Sequence, residues 1–246
     1  MIGAVFHTVV YNPIYNGLVF FVGALPTHDM GIAVIIVTII VRIIFYPLSK
    51  SAIKTQMKMK EVAPEIEELK KRLKDKPEEQ SKAIFALYKE REVKPFSGFL
   101  LVLVQLPILL GLYWVFAQGG LPEVNADILY SFVPVPNAVN MEFLGLIDMS
   151  GRSLLLAVLA VIAQFVYTRL SMGPRGEKTA AEASFGNDMA RSFDLQARYM
   201  LPAMVGVIAF YIAAAAPLYW ITGNIFMIGQ ELASGRRFGK PKNKAL

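Results

Sequence analysis

Arg42 lies in the middle of an apolar segment that is long enough to span a membrane. Residues 30–48 read MGIAVIIVTIIVRIIFYPL and contain no other charged residue. About 20 apolar residues cross the ~30 Å hydrocarbon core of a bilayer. A guanidinium at its centre stays protonated and costs at least ~2.5–3.5 kcal/mol on insertion scales, which indicates a functional site. The alternative is that the long side chain leans toward the interface near Lys50.

Uncharged polar and aromatic side chains in the other apolar segments could surround this guanidinium. The candidates are Thr38, Gln105, Gln164, Thr168, Tyr219, Trp220 and Asn224. If they converge on Arg42, they would line a wet cavity that suits a transient anionic guest. For the polar residues the alternative is hydrogen bonding between helices, worth only ~0.6 kcal/mol on average. For the aromatic residues the alternative is a belt at the membrane interface.

The composition places the chain among membrane proteins. Its 246 residues are 55% hydrophobic and 18% charged, with a mean hydropathy of +0.47, which is unlike a soluble protein. The sequence has no cysteine and only two histidines, far apart, so thiolate sites are excluded and a histidine metal site is disfavoured. It contains no HExxH, GxSxG or phosphate-binding glycine motif in a suitable context. We therefore predict no cofactor, no metal and no enzymatic activity.

Apolar stretches of the sequence predict five membrane spans. They are expected at residues 29–48, 96–118, 152–171, 199–214 and 217–234. Residues 199–234 are too long for one span, and Pro217 divides them. Residues 1–28 are apolar but interrupted by polar and helix-breaking residues such as Asn12 and Asn16. We predict an external interfacial amphipathic helix there, with a sixth span as the alternative.

Residues 49–95 differ sharply from the apolar stretches, because they hold 13 of the 25 basic and nine of the 19 acidic residues. Apolar residues recur within this segment at helical spacing. We predict a polar hairpin of two antiparallel helices, at 63–74 and 76–92. Pro64 marks a break or a fresh helix start, and Asp75 with Glu78 resembles a capping box at the start of the second helix.

The basic residues predict the orientation of the chain. Apart from Arg42, Arg152 and Arg169, they all lie in the hairpin at 49–95, the loop at 172–198 and the tail at 235–246. Segments rich in Lys and Arg stay in the cytoplasm. Residues 1–28 and 119–151 contain no basic residue and are expected outside. The N-terminus is thus predicted outside and the C-terminus in the cytoplasm.

Four stretches of the sequence resemble one family of membrane proteins. They read RIIFYPLSKSAIKTQMKMKEVAPEIEELKKRL, ALYKEREVKPFSGF, VQLPILLGLYWVF and LYWITGNIFMIGQ. These stretches are similar to the YidC-type membrane protein insertases of the YidC/Oxa/Alb superfamily. The residues in register with the family are Arg42, Pro47, Pro64, Leu87, Tyr88, Lys89, Pro95, Gln105, Leu106 and Pro107. The resemblance runs from about residue 30 to 234, with gaps at 119–151 and 172–198.

The resemblance implies an all-α polytopic membrane protein with a five-span core and a cytoplasmic helical hairpin. It also implies a hydrophilic groove that is open to cytoplasm and lipid and closed to the outside. The family's groove arginine maps onto Arg42, and its lipid-facing slide maps onto spans around 154–170 and 217–230. Tyr219 and Trp220 stand where the family places paired aromatic residues. Thr168 departs from the family, in which many members have glutamine.

The function implied by the resemblance is that of a membrane protein insertase and chaperone in the bacterial plasma (inner) membrane. It would move nascent single-span or short membrane proteins from the groove into the bilayer without a nucleotide. The expected partners are nascent membrane proteins and membrane lipids, and the chain is expected to work as a monomer. A Sec-type translocon and the ribosome remain open as further partners. Two other classes also remain open, an assembly subunit of a larger translocon and a small-solute transporter.

Overall fold

The computed structural model describes residues 2–94, 97–118, 120–173 and 195–236. The chain forms two compact units, one of residues 1–43 with 107–246 and the other of residues 44–106. Most of the predicted loop at 172–198 and of the predicted basic tail at 235–246 lies outside the described residues, as does Pro95.

The described residues are mostly helical. In chain order the helices are α1 (Ile2–Phe6), a π-helical turn (His7–Tyr11), α2 (Asn12–Ala24), α3 (Met30–Ile44), α4 (Tyr46–Arg72), α5 (Pro77–Glu90), α6 (Ser97–Gln118), α7 (Leu154–Met172), a second π-helical turn (Gln196–Met200), α8 (Leu201–Tyr211) and α9 (Ala215–Ala233). Between α6 and α7 the chain adds a 3₁₀ turn (Ala126–Ile128) and two short antiparallel strands, β1 (Glu142–Phe143) and β2 (Ile147–Asp148). The sequence did not predict these two strands.

The N-terminal helix is a central part of the first unit. Tyr15, Leu18 and Val22 on α2 are fully buried in the main hydrophobic core of this unit. Gly17 of α2 lies against α3, since a Cβ at this position would be 3.5 Å from the Val37 side chain. Small residues allow such close approach of helices in membranes.

The length of this N-terminal helix is that of a membrane span. Gly3–Ala24 form 22 helical residues with a mean hydropathy of 1.2. By length and composition the helix can cross a membrane, so the structure keeps the sixth span open beside the interfacial helix.

Residues 120–153, which we call the cap, pack against the main core. The Asn16 amide donates from Nδ2 to the carbonyl of Ile128 (2.9 Å) and accepts at Oδ1 from the Tyr130 N–H (2.6 Å). Asp29 accepts at Oδ1 from the N–H of Ile32 (3.0 Å) and at Oδ2 from the N–H of Leu144 (2.8 Å). Asp29 therefore caps α3 and at the same time holds the turn between β1 and β2. The two buried side chains tie the cap to α2 and to the N-terminal end of α3.

The second unit contains a helical hairpin of α4 and α5. A small core of Val62, Leu87 and Val93 lies between the two helices. Arg91 forms an ion pair with Glu65 across them (3.0 Å). Both side chains are largely exposed, so this pair contributes at most ~1 kcal/mol. The apolar contacts hold the hairpin together.

Two predictions about the hairpin are wrong. Pro64 does not break the helix, because α4 runs without interruption from Tyr46 to Arg72. Pro64 lies on the exposed side, where water can replace the helical hydrogen bond that proline removes. Asp75 and Glu78 do not form a capping box either, since Lys76 occupies the N-cap of α5 without a side-chain cap. Lys76 instead pairs with Glu79 (3.0 Å).

The helices confirm an all-α membrane protein. Gly3–Ala24 and α7, which has a mean hydropathy of 1.9, are each long and apolar enough to cross a bilayer. A third span results if α3 and α4 are counted together as one interrupted span. The apolar part of α6, Leu103–Gln118, is shorter, and α8 has 11 residues. The number of five spans stays a prediction.

Asn16→Ala is expected to loosen the cap, because it leaves the Tyr130 N–H and the Ile128 carbonyl without their partner. A buried group left unpaired costs ~1–3 kcal/mol, so the Tm of the purified protein in detergent should fall by at least about 4 °C. Thr8→Ala, on the exposed side of the same N-terminal helix, is the control and should change the Tm by less than about 2 °C. Equal Tm values for the two variants would show that the Asn16 amide does not hold the cap.

Candidate functional site

Arg42 lies against α9 within the first unit. Its side chain is half-buried, and its Cζ is 5.9 Å from the centre of the Tyr219 ring. A guanidinium over an aromatic face at this distance is attracted by the ring quadrupole. Gly223, one helical turn after Tyr219, presents its bare backbone to the same guanidinium. The Arg42 guanidinium is thus held between the last full turn of α3 and the middle of α9.

The Arg42 guanidinium is not fully satisfied by the part of the chain that the structure describes. Its Nε is buried and has no hydrogen-bond partner there, and none of the described carboxylates forms an ion pair with it. Buried donors are nearly always hydrogen-bonded, so an exception needs an explanation. A planar cation with free donors is suited to a carboxylate, which can accept two parallel hydrogen bonds.

Three of the predicted polar residues form a chain of hydrogen bonds between α7 and α9. Asn224 donates from Nδ2 to Oε1 of Gln164 (3.0 Å), and Gln164 donates from Nε2 to Oγ1 of Thr168 (3.2 Å). Asn224 and Thr168 are buried. Asn224 directly follows Gly223, so this chain begins one residue away from the helix position that faces Arg42. The bond between Asn224 and Gln164 joins the two helices, which is the alternative that the sequence left open for polar residues in the spans, and the second bond lies within α7.

The other predicted site residues have different surroundings. Thr38 is buried one turn before Arg42 and donates to the Val34 carbonyl of its own helix (2.6 Å). Its hydroxyl is thus engaged within α3. Trp220 is half-buried and packs on both apolar clusters of the first unit. Gln105 is half-buried on the part of α6 that belongs to the second unit.

Sequence reasoning missed a buried ion pair at the end of α9. Glu231 is completely buried, and its Oε2 is 3.0 Å from Nε of Arg236. Arg236 also donates from Nη1 to the carbonyl of Ser171, at the end of α7. The signal in the sequence was an acidic residue in the last turn of an apolar helix with an arginine five residues later. This pair joins α9 to α7 a second time.

The fold is that of an all-α membrane protein, and the comparisons with known proteins agree with the resemblance in the sequence. The chain belongs to the family described as 60Kd inner membrane protein, whose family model matches residues 21–241. A relative from Clostridium tetani, named membrane protein insertase YidC, is 30% identical over 207 residues, which are 84% of this chain and 82% of the relative.

Two longer relatives carry the same name. The protein from Paraburkholderia phymatum is 27% identical over 217 residues, and that from Polynucleobacter necessarius is 26% identical over 242 residues. These alignments cover 88% and 96% of this chain but only 34% and 37% of the two relatives. The chain therefore spans about a third of the length of these two proteins.

Glu231→Gln is expected to destabilise the first unit strongly, because it leaves Arg236 buried without its counter-ion. Breaking a buried ion pair on one side costs ~3–5 kcal/mol, whereas replacing both partners by apolar residues is often nearly neutral. The double variant Glu231→Leu, Arg236→Met should therefore unfold at a higher temperature than Glu231→Gln in a thermal melt of the purified protein.

The control for this melt is Glu79→Gln, which removes a pair whose two side chains are mostly exposed. It should cost less than ~1 kcal/mol. If Glu231→Gln melted like Glu79→Gln, the buried pair would not stabilise the contact between α7 and α9.

Proposed function

We propose that the protein is a membrane protein insertase and chaperone that moves nascent single-span or short membrane proteins from a hydrophilic groove into the bilayer. The observation that carries this proposal is Arg42, a cation on an apolar helix with a buried donor and no ion-pair partner among the described residues. Family membership supports the proposal, because relatives are named membrane protein insertases. The protein would act in the bacterial plasma membrane, with its N-terminus outside and its C-terminus in the cytoplasm.

In the first step, the hairpin binds the client on the cytoplasmic side. The α4–α5 hairpin is rich in charged residues, but Phe85 on α5 is 62% exposed. A shallow groove beside it is lined by Pro77, Ser81 and Lys82. Such a surface offers one apolar contact with charges around it. A nascent segment could be held there without being withdrawn from water.

The second step is entry of the client's polar tail into the groove. A carboxylate at ~4 Å from Arg42 would gain ~4 kcal/mol at an effective dielectric of about 20. That attraction is of the same order as the cost of placing the arginine at membrane depth, at least ~2.5–3.5 kcal/mol. An acidic tail would thus compensate the charge during transfer and leave again, since a hydrated groove weakens the pair.

The third step is release of the apolar segment into lipid along α7 and α9. Large apolar side chains of these helices are exposed, among them Leu155, Val158 and Ile162 on α7 and Ile225 on α9. A client helix that leaves water gains ~25 cal/mol for each Å² of apolar surface that is removed. The membrane potential adds ~2.3 kcal/mol per 100 mV for each acidic charge that crosses outward. Together these terms would drive translocation of the tail without a nucleotide.

Arg42→Ala is expected to slow insertion of a single-span client with an acidic tail by at least about tenfold, because losing ~1.4 kcal/mol of the ~4 kcal/mol attraction already corresponds to that factor. For the same client with a neutral tail the rate should change less than about threefold, since the tail has no charge to attract. The measurement is protease protection after insertion into liposomes that contain only the purified protein.

Arg152→Ala is the control, because it removes an exposed arginine at the start of α7 that contacts Tyr211. Arg152→Ala should preserve the wild-type difference in insertion rate between the acidic-tailed and the neutral-tailed client. If Arg42→Ala lowered the insertion rate equally for both clients, a role of the Arg42 charge would be contradicted. No insertion by the wild-type protein would instead favour an assembly subunit that needs a Sec-type translocon or another partner, and solute flux without insertion would favour a transporter.

A further inference from the structure

Gly223 is the residue of α9 that leaves room for the Arg42 guanidinium. A Cβ at position 223 would lie 3.0 Å from Nε and 3.1 Å from Cζ of Arg42, and closer still to Nη2. Carbon atoms in proteins pack at ~3.5–4.0 Å, so a methyl group there would overlap the guanidinium. The planar cation therefore rests directly on helix backbone, at a position where only glycine permits it.

Two neighbours of Gly223 on α9 define the surroundings of the Arg42 guanidinium. Tyr219 lies four residues earlier on the same face of α9, and its ring is 5.9 Å from Cζ of Arg42. Asn224 directly follows Gly223 and is engaged with Gln164 on α7. The guanidinium thus lies in a notch formed by an aromatic ring and by bare backbone. A change at Gly223 alters the depth of the notch and leaves the ring and the amide in place.

We infer that Gly223 is a positioning residue that fixes where the Arg42 charge stands, and thereby sets the preference for clients with acidic tails. This inference rests on the proposed function. The three nearest atoms that a methyl group would meet belong to the Arg42 guanidinium, at the far end of a flexible side chain. Gly223→Ala would therefore displace the guanidinium and leave the helix intact. Because attraction falls with distance and with solvent exposure, the displaced charge would attract a carboxylate less.

The same helix offers a matched control. Gly229 lies six residues further along α9, and a Cβ built there has no atom within 4 Å. Both changes replace an interior helical glycine by alanine, so both add the same helix propensity. Only the change at position 223 meets Arg42. Any difference between the two variants therefore reports on the contact with the guanidinium.

The first experiment compares insertion rates for an acidic-tailed and a neutral-tailed client in liposomes that contain the purified protein. Gly223→Ala should reduce the ratio of the acidic-tail rate to the neutral-tail rate about fivefold, whereas Gly229→Ala should keep the ratio within about twofold of the wild type. An unchanged ratio in Gly223→Ala, with a wild-type protein that prefers acidic tails, would overturn the inference.

A second comparison repeats the glycine change in the Arg42→Lys background. Lysine keeps the positive charge but has no planar fork, so a methyl group at position 223 has no guanidinium to displace. Gly223→Ala should then change the ratio of the two rates by less than about twofold. A fivefold fall in both backgrounds would show that the methyl group acts on α9 itself and would overturn the positioning role.

The position of the charge can also be followed without any client. In protein labelled with ¹⁵N-arginine and held in micelles, the Nε resonance that disappears in Arg42→Lys belongs to Arg42. Gly223→Ala should shift this resonance, and Gly229→Ala should leave it in place. If the wild-type protein inserts no client, the proposed function fails, and this shift alone decides whether Gly223 positions Arg42. An unshifted resonance would overturn the inference even if insertion proceeds.

Discussion

The main physical constraint at the candidate site is an arginine charge that stands half-buried on an apolar helix. A guanidinium inside an apolar bundle must be hydrated, paired or covered, because it cannot lose its proton. Here it is partly covered, by the ring of Tyr219 and the backbone of Gly223. A cation–π contact supplies ~0.5–2 kcal/mol, less than the ~2.5–3.5 kcal/mol or more that insertion of the charge costs. The remaining deficit is what an anionic guest would compensate.

Arg236 shows what a structural arginine looks like in the same unit. It is almost completely buried, its Nε lies 3.0 Å from the carboxylate of Glu231, and its Nη1 donates to Ser171. Arg42 is more exposed, has no carboxylate partner among the described residues and leaves its Nε unpaired. Burial of a charge is tolerated when an opposite charge and hydrogen bonds accompany it. Arg236 has both, although the Glu231 oxygens have no hydrogen-bond partner among the described residues. The two arginines therefore differ in their surroundings, although both lie at apolar helices.

The parts of the fold that depend on local sequence could be predicted from it. Length and hydropathy predicted helices at 96–118 and 152–171, where the structure has Ser97–Gln118 and Leu154–Met172. The prediction failed at Pro64, since a proline on an exposed helix face can be accommodated by water. The resemblance to the insertase family was carried by motifs around Arg42, and the family comparison confirmed it.

Features that depend on contacts distant in sequence could not be predicted. Asn16 looked like an interruption of an apolar segment, but it satisfies backbone groups more than 110 residues away. Gly223 carries no side chain by which a pattern could mark it, and its importance lies in the space that it leaves for Arg42. For the polar span residues the sequence left open both a cavity around Arg42 and hydrogen bonds between helices. In the structure Asn224 and Gln164 join α9 to α7, and Thr168 accepts a hydrogen bond from Gln164 within α7.

The polar contacts between α7 and α9 restrict the path that a client would take into the bilayer. The helices α7 and α9 are joined twice, by Asn224 with Gln164 and by Arg236 with Ser171. On α7 the two ties are seven residues apart, or ~10 Å at ~1.5 Å per residue. Opening a path between these helices would break both ties and expose a buried ion pair. A client is therefore expected to move over the exposed apolar surface of the pair, with Arg42 beside it, and not between the two helices.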